Sequence, residues 1–281
     1  KVANEENLPD FSAVAWFFAK RNHQDFKVPV GIIESNWGGT PAEIWMPEDV
    51  VNNDPILLEN AKKLNEQEYG PRQPGRAYNA MISPFAGFKI AGTLWYQGES
   101  NVGAYADYQP RFTAMIRDWR AKWAQGTGQQ NQFPFLFVQL ANYLEKKPDP
   151  VDSAWAGLRE AQRQSLSEAN TAMVVAIDKG EWNDIHPVDK KTIGQRLALA
   201  ARAVALGEKV GYQGQILPIL LAAYVMSVIE KWLRARVPNA IQLLVVPITT
   251  IVVTGVLALA VIGPVTRHIG IFITGGLVML F

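Results

Sequence analysis

The chain has 281 residues and no cysteine, which excludes disulfides, cysteine-bound metals and a cysteine nucleophile and leaves redox chemistry silent about the compartment. The net charge of +1 hides an asymmetry, because residues 215–281 hold only five charges: Glu230, Lys231, Arg234, Arg236 and Arg267. The first 214 residues have an ordinary soluble composition, the last 67 read as membrane material, and with no basic stripe interleaved with aromatics nucleic acid is not an expected partner.

In chain order, a helical pattern over 10–23 precedes the apolar run VPVGII at 28–33, expected to be a buried strand. It runs into ESNWGGTPAEIW (34–45), where adjacent glycines let backbone approach a ligand closely. A helical pattern at 53–69 gives way to a polar loop, with 62–76 reading as helix end and loop. IAGTLWY (90–96) predicts a second strand ending in YQGESN (96–101), followed by a helix over 105–124. FPFLFVQL (133–140) predicts a third strand ending in QLANY, with a helix over 155–168. TAMVVAI (171–177) predicts a fourth, leading through DKGEW to NDIHP (183–187) and a helix over 188–207.

Strands separated by helices imply crossover connections and a mainly parallel sheet, an α/β fold in which ligands sit beyond the carboxyl ends of the strands. Three of the four strand ends carry groups suited to acyl transfer: glycine amides and carboxamides for an oxyanion, and a histidine beside an aspartate to move a proton. His186 follows the last strand in an Asp-Ile-His-Pro loop, where Asp184 can fix its tautomer.

The remaining chain is apolar. Val237 to Thr266 contains no charge, and LLVVPITTIVVTGVLALAVI (243–262) has the length, roughly 20 residues, of a bilayer-crossing helix. Val210 to Ile229 is a weaker uncharged run, and IGIFITGGLVMLF closes the sequence. Three such runs predict membrane insertion.

WGGTPAEIW, LWYQGESN, YQPRFTAMIRDWRAKW, FPFLFVQLANY, WAGLREAQ and NDIHPVDKKTIGQRLALAARAVALGEKV together resemble the carbohydrate and sialate O-acetylesterases of the SGNH hydrolase superfamily, from about residue 10 to about 210. The resemblance implies a flavodoxin-like parallel sheet of about five strands with flanking helices. It also implies removal of acetyl groups from sugar hydroxyls by a serine nucleophile, without metal or cofactor. On that resemblance Gly38 or Gly39 supplies an oxyanion amide, Gln97 or alternatively Asn101 a carboxamide donor, and His186 the general base. The superfamily places an aspartate three residues before this histidine, where the chain has Asn183, which leaves its acid partner open between Asp184 and a more distant acid.

The family's nucleophile lies in a Gly-Gln-Ser-Asn type stretch on a preceding strand, which residues 1–11 do not contain. Ser35 and Ser100 are weak substitutes, so the expectation is a truncated, inactive domain over 1–210.

GYQGQILPILLAAYVMSVIEKWLRARVPNAIQLLVVPITTIVVTGVLALAVIGP resembles the membrane permease subunit of the sugar phosphotransferase system, over about 211–281 and without its substrate-binding motif. Parts of two proteins thus meet near Gly211 to Gln215, for which a join between unrelated reads is the simpler account than a fused gene. The cluster Lys231, Arg234 and Arg236 would face the cytoplasm, placing an esterase domain outside it. The expected partners are an acetylated sugar and, through the C-terminal segment, the inner membrane; no oligomeric state is implied. A sugar-binding module stacking pyranose rings on Trp37, Trp45 and Trp95, or a membrane sugar transporter, are the competing readings.

Overall fold

A computed structural model describes residues 3–4, 6–64, 70–128, 132–145, 147, 151–212, 216–262 and 265. The chain divides into two compact units, Lys1–Glu208 and Lys209–Phe281.

The first unit is built on a three-stranded sheet of β1 (Thr93–Trp95), β2 (Phe135–Gln139) and β3 (Thr171–Val175), in that order and parallel throughout. Leu94 pairs with Leu136, and Phe137 with Met173. Phe135, Leu136, Phe137 and Val138 are all buried, so β2 has no solvated face, and the near-continuous apolar sequence of β2 and β3 follows from helices covering both sides.

Those helices are α1 (Ala13–Phe26), α2 (Glu48–Asn53), α3 (Pro55–Lys62), α4 (Tyr108–Thr127), α5 (Ala154–Gln164) and α6 (Lys190–Leu206). α4 buries Tyr108, Phe112, Met115, Ile116, Trp119 and Trp123, a three-to-four residue spacing that puts one apolar stripe on the sheet. Phe112 meets Trp95 at 6.0 Å and the edge of Phe137 at 5.0 Å between ring centroids. Each such ring contributes about 1.5–3 kcal/mol of burial. α1 packs on α6, which also packs on β3. Of the helix expected over 53–69, α3 forms Pro55–Lys62, α2 ends where that segment begins, and residues 65–69 lie outside the described residues. Asp54 accepts from the N–H groups of Ile56 and Leu57 (2.9 and 3.1 Å), and Pro55, having no N–H to give, starts α3 there.

One expected strand does not form. Residues 28–33 lie outside the sheet, with Val28 and Ile33 about half exposed. The apolar pattern marks a segment able to be a strand, yet a ladder needs a neighbour, and among the described residues none runs beside this one.

The second unit contains α7 (Ile216–Arg234) and α8 (Asn239–Leu257), with a π-helical turn at Ala258–Ile262. Ile241–Ile262 forms 22 helical residues of mean hydropathy 2.5, long and apolar enough to cross a membrane. The last expected run, IGIFITGGLVMLF, lies outside the described residues, as does part of the 62–76 segment.

Candidate active site

The WGGT turn is shaped by its own residues. Gly39 has φ +71°, in the left-handed region that strains an L side chain. Thr40 Oγ1 donates to Trp37 O (2.6 Å) and accepts from Trp45 Nε1 (3.0 Å), tying the turn to the buried 3-10 helix Ala42–Trp45. Gly38 and Gly39 are exposed, and no described residue accepts from either amide N–H.

The QGESN turn closes at Gly98, whose φ is +152° and where a Cβ would stand 2.7 Å from Leu158 Cδ2. Only glycine lets β1 turn this tightly against α5. Gln97 Nε2 donates to Thr40 O (3.1 Å) and Asn101 Oδ1 (2.7 Å), while Gln97 Oε1 accepts from Tyr108 OH (3.0 Å). Asn101 Oδ1 also accepts from Ala42 N (2.9 Å), and its Nδ2 donates to Glu43 Oε2 (3.0 Å). Both Gln97 amide hydrogens are therefore engaged, and Asn101 is 1 % exposed. The two carboxamides expected to face an oxyanion bind the WGGT and QGESN turns together here.

The histidine loop is held from below. Arg196 clamps both oxygens of Asp178 at 2.7 Å and donates to Val175 O (2.6 Å). Lys179 pairs with Asp189 (3.0 Å), which caps α6 by accepting from Thr192 N (2.9 Å). The Thr192 hydroxyl and N–H, then Lys179, hold the Asp189 carboxyl down at about 2. Leu144 N donates to Trp182 O (2.9 Å), joining the end of the QLANY segment to the same loop.

Asp184 Oδ1 accepts from the backbone N–H of His186 (2.7 Å), an Asx turn. The His186 ring is exposed, with Nδ1 3.8 Å from that oxygen, beyond hydrogen-bond reach. His186 and Asp184 are thus neighbours whose side chains do not hydrogen-bond to each other, and such contacts lengthen in many enzymes without substrate.

Glu99 and Lys190, which the sequence pattern did not single out, share this region. Burial pushes the Glu99 carboxyl up, opposed by its own backbone N–H and the positive fields of His186 and Lys190. Burial likewise lowers Lys190, opposed by Glu99 and Asp184, and its Nζ stands 5.7 Å from the Tyr96 ring centroid. Among the described residues no group of three His, Asp or Glu is placed to hold a metal. Ser35 Oγ donates to Met81 O (2.6 Å), and no described serine hydroxyl is bonded to His186. Trp45 and Trp95 are buried (3 % and 8 % exposed) because they form the core with Trp119, which removes them as sugar-stacking platforms. Trp37 is exposed, and so is Trp182 on the histidine loop.

Comparison with known proteins agrees with this geometry. Residues 4–203 match the family described as carbohydrate esterase, sialic acid-specific acetylesterase, and residues 180–281 match phosphotransferase system, EIIC. Sialate O-acetylesterase of Homo sapiens is 36 % identical over 211 residues, covering 70 % of this chain and 40 % of that protein. A carbohydrate acetylesterase structure from Xanthomonas citri superimposes with TM-score 0.63 at 40 % identity, covering 75 % of this chain and 45 % of that one. The chain therefore spans less than half the length of these relatives. The sucrose-specific EIIBC component of Bacillus subtilis is 51 % identical over 71 residues, 25 % of this chain and 15 % of that protein. The two family matches overlap at 180–203, and α6, which starts within the overlap, packs on α1 and β3 of the first unit. A parallel sheet with flanking helices, glycine and carboxamide turns at its carboxyl end and a matching family model over residues 4–203 place this chain in the sialic acid-specific acetylesterase family of carbohydrate esterases.

Proposed function

We propose that the protein removes O-acetyl groups from sugar hydroxyls, as the names of its relatives suggest, by serine-based acyl transfer. The observation that carries the reading is the pair of adjacent glycine amides at Gly38 and Gly39, without an acceptor among the described residues, on a turn bolted to the QGESN turn by Gln97 and Asn101. Two N–H groups fixed side by side are what a tetrahedral oxyanion needs.

In this mechanism a serine Oγ attacks the acetyl carbon while His186 takes its proton. The carbonyl oxygen, now anionic, accepts from Gly38 and Gly39. Collapse breaks the bond to the sugar oxygen, which receives the proton from His186, and water then releases acetate by the same route. Asp184 sits where it can orient the imidazole and balance its charge. Gln97 joins the oxyanion donors by exchanging its bond to Thr40 O. Ser35 is committed to Met81 O, which counts against it as the nucleophile; Ser100 is set aside on the family pattern alone, and little acetate release is expected from residues 1–281 by themselves.

The test is acetate release from O-acetylated sialic acid and from an aryl acetate by residues 1–281 and by His186→Ala. Equal, near-background rates are expected. Turnover abolished by His186→Ala would overturn the assignment and make Ser35 or Ser100 the nucleophile. The longest reading frame containing these codons is then assayed in the same way, and acetate release insensitive to His186→Ala would sink the acetylesterase reading itself.

The proposed division is an esterase domain over 1–210 and a membrane segment over 211–281. Lys231, Arg234 and Arg236 lie at the α7–α8 turn, with Arg236 stacked 4.3 Å from the Trp232 ring centroid. Such a basic and aromatic junction suits the cytoplasmic face, which places the esterase part outside it if α7 spans as well.

A further inference from the structure

We infer that Glu43 and Arg111 are positioning residues that set the donor and acceptor direction of the Asn101 and Gln97 carboxamides and thereby fix the WGGT turn. The inference rests on the acetylesterase reading only for its purpose, since the hydrogen-bond chain stands by itself.

Glu43 and Arg111 are both fully buried, with Arg111 Nε 2.8 Å from Glu43 Oε1. The contact is off the N–H axis, an ion pair rather than an aligned hydrogen bond, and Nη1 and Nη2 of Arg111 meet no acceptor among the described residues. Two apolar residues would fill such a position at no loss of stability, so the pair is poor as a stabiliser. Its effect is on polarity.

An ionised carboxylate only accepts, so Asn101 must turn Nδ2 toward Glu43 Oε2. That orientation leaves Asn101 Oδ1 facing Ala42 N and Gln97 Nε2, both donors. Gln97 in turn must point Nε2 at Asn101 and Thr40 O, and Oε1 at Tyr108 OH. Carboxamides have no intrinsic preference between their two ends. In this network the Ala42 N–H, which only donates, and the Thr40 carbonyl, which only accepts, call for the same direction, and Glu43 is the charged acceptor that locks it from the buried end.

Arg111 makes that decision testable. In Glu43→Gln the guanidinium, a donor, draws the new carboxamide oxygen to itself and leaves the new NH2 facing Asn101. Asn101 then has donors on both sides, and turning its oxygen toward the new NH2 takes the acceptor away from the Ala42 amide. In Arg111→Met, Glu43 remains an acceptor and the chain keeps its direction. In the double variant Glu43→Gln/Arg111→Met nothing holds the Gln oxygen back, so it can accept from Asn101 and the original direction returns.

The experiment is hydrogen exchange resolved to single amides on the full chain in detergent, with β2 as internal reference. Expected is exchange at Ala42 about tenfold faster in Glu43→Gln with β2 protection retained, and near-original Ala42 protection in Arg111→Met and in the double variant. Ala42 unchanged in Glu43→Gln, or still fast in the double variant, overturns the inference. Parallel loss at Ala42 and β2 means a merely structural role and also overturns it. Should Glu43→Gln alone fail to fold, the double variant decides: Ala42 protection equal to that of Arg111→Met supports the inference, and a lower value overturns it. Exchange is read whether or not acetate is released, which separates failure of this inference from failure of the esterase reading.

Discussion

The Ser35 hydroxyl donates a hydrogen bond to the carbonyl oxygen of Met81, 2.6 Å away, and so pins the start of the ESNWGG loop to a residue 46 positions further along the chain. Ser35→Ala should cost about 1 kcal/mol of stability, the net value of one hydrogen bond, and should leave acetate release unchanged in any polypeptide that shows it. Denaturant unfolding of the variant beside an aryl acetate assay checks both halves.

Gly98 is the tightest point of the β1 turn. Gly98→Ala should destabilise by about 2 kcal/mol or more, combining an unfavourable φ with overlap on the fully buried Leu158. Loss of less than half that amount in denaturant unfolding would mean that the turn adjusts freely and that its shape is not imposed by packing.

A pH signature comes from Asp118, whose carboxyl burial, with the neighbouring Asp49, pushes up to about 6 against the pull of Lys122. The raised value means that the folded state holds this proton more tightly than the unfolded chain. Its contribution favours folding below about pH 4 and is lost as pH rises through about 6. Asp118→Asn should therefore raise Tm at pH 7 relative to the parent and change it little at pH 4. Equal shifts at the two pH values would remove Asp118 as the cause.

Residues 1–281 should need detergent, because Ile241–Ile262 is strongly apolar and α8 keeps Leu243, Val252 and Val256 exposed. A monodisperse sample without detergent in size-exclusion chromatography would contradict this. Limited proteolysis in detergent should cut first between about 207 and 215, past the left-handed Gly207 that ends α6.

One uninterrupted DNA read through the codons for residues 200–220 addresses the junction itself. Uninterrupted passage into permease sequence would establish a real fusion, and divergence at the GYQGQ codons would establish an artificial join.

The three sheet strands were legible because strands buried on both faces write themselves as apolar runs bounded by turns. VPVGII has the same composition, but sheet membership depends on a neighbour, which a local pattern cannot supply. The turns at Gly39 and Gly98 were visible as glycines after strands, whereas the roles of Gln97 and Asn101 as struts depend on contacts across more than 50 residues. Glu43 and Arg111 did leave a trace: each charge falls on the apolar side of its element, Arg111 one residue before Phe112 on the buried stripe of α4. Trp45 and Trp95 were misjudged because aromatic residues beside a loop look alike whether they face sugar or core.

β1 is only three residues long, and among the described residues it pairs with β2 alone. Its side opposite β2 has no strand partner among the described residues. An edge this short offers an added strand only three residues of ladder, so the brevity of β1 itself limits edge-to-edge pairing there.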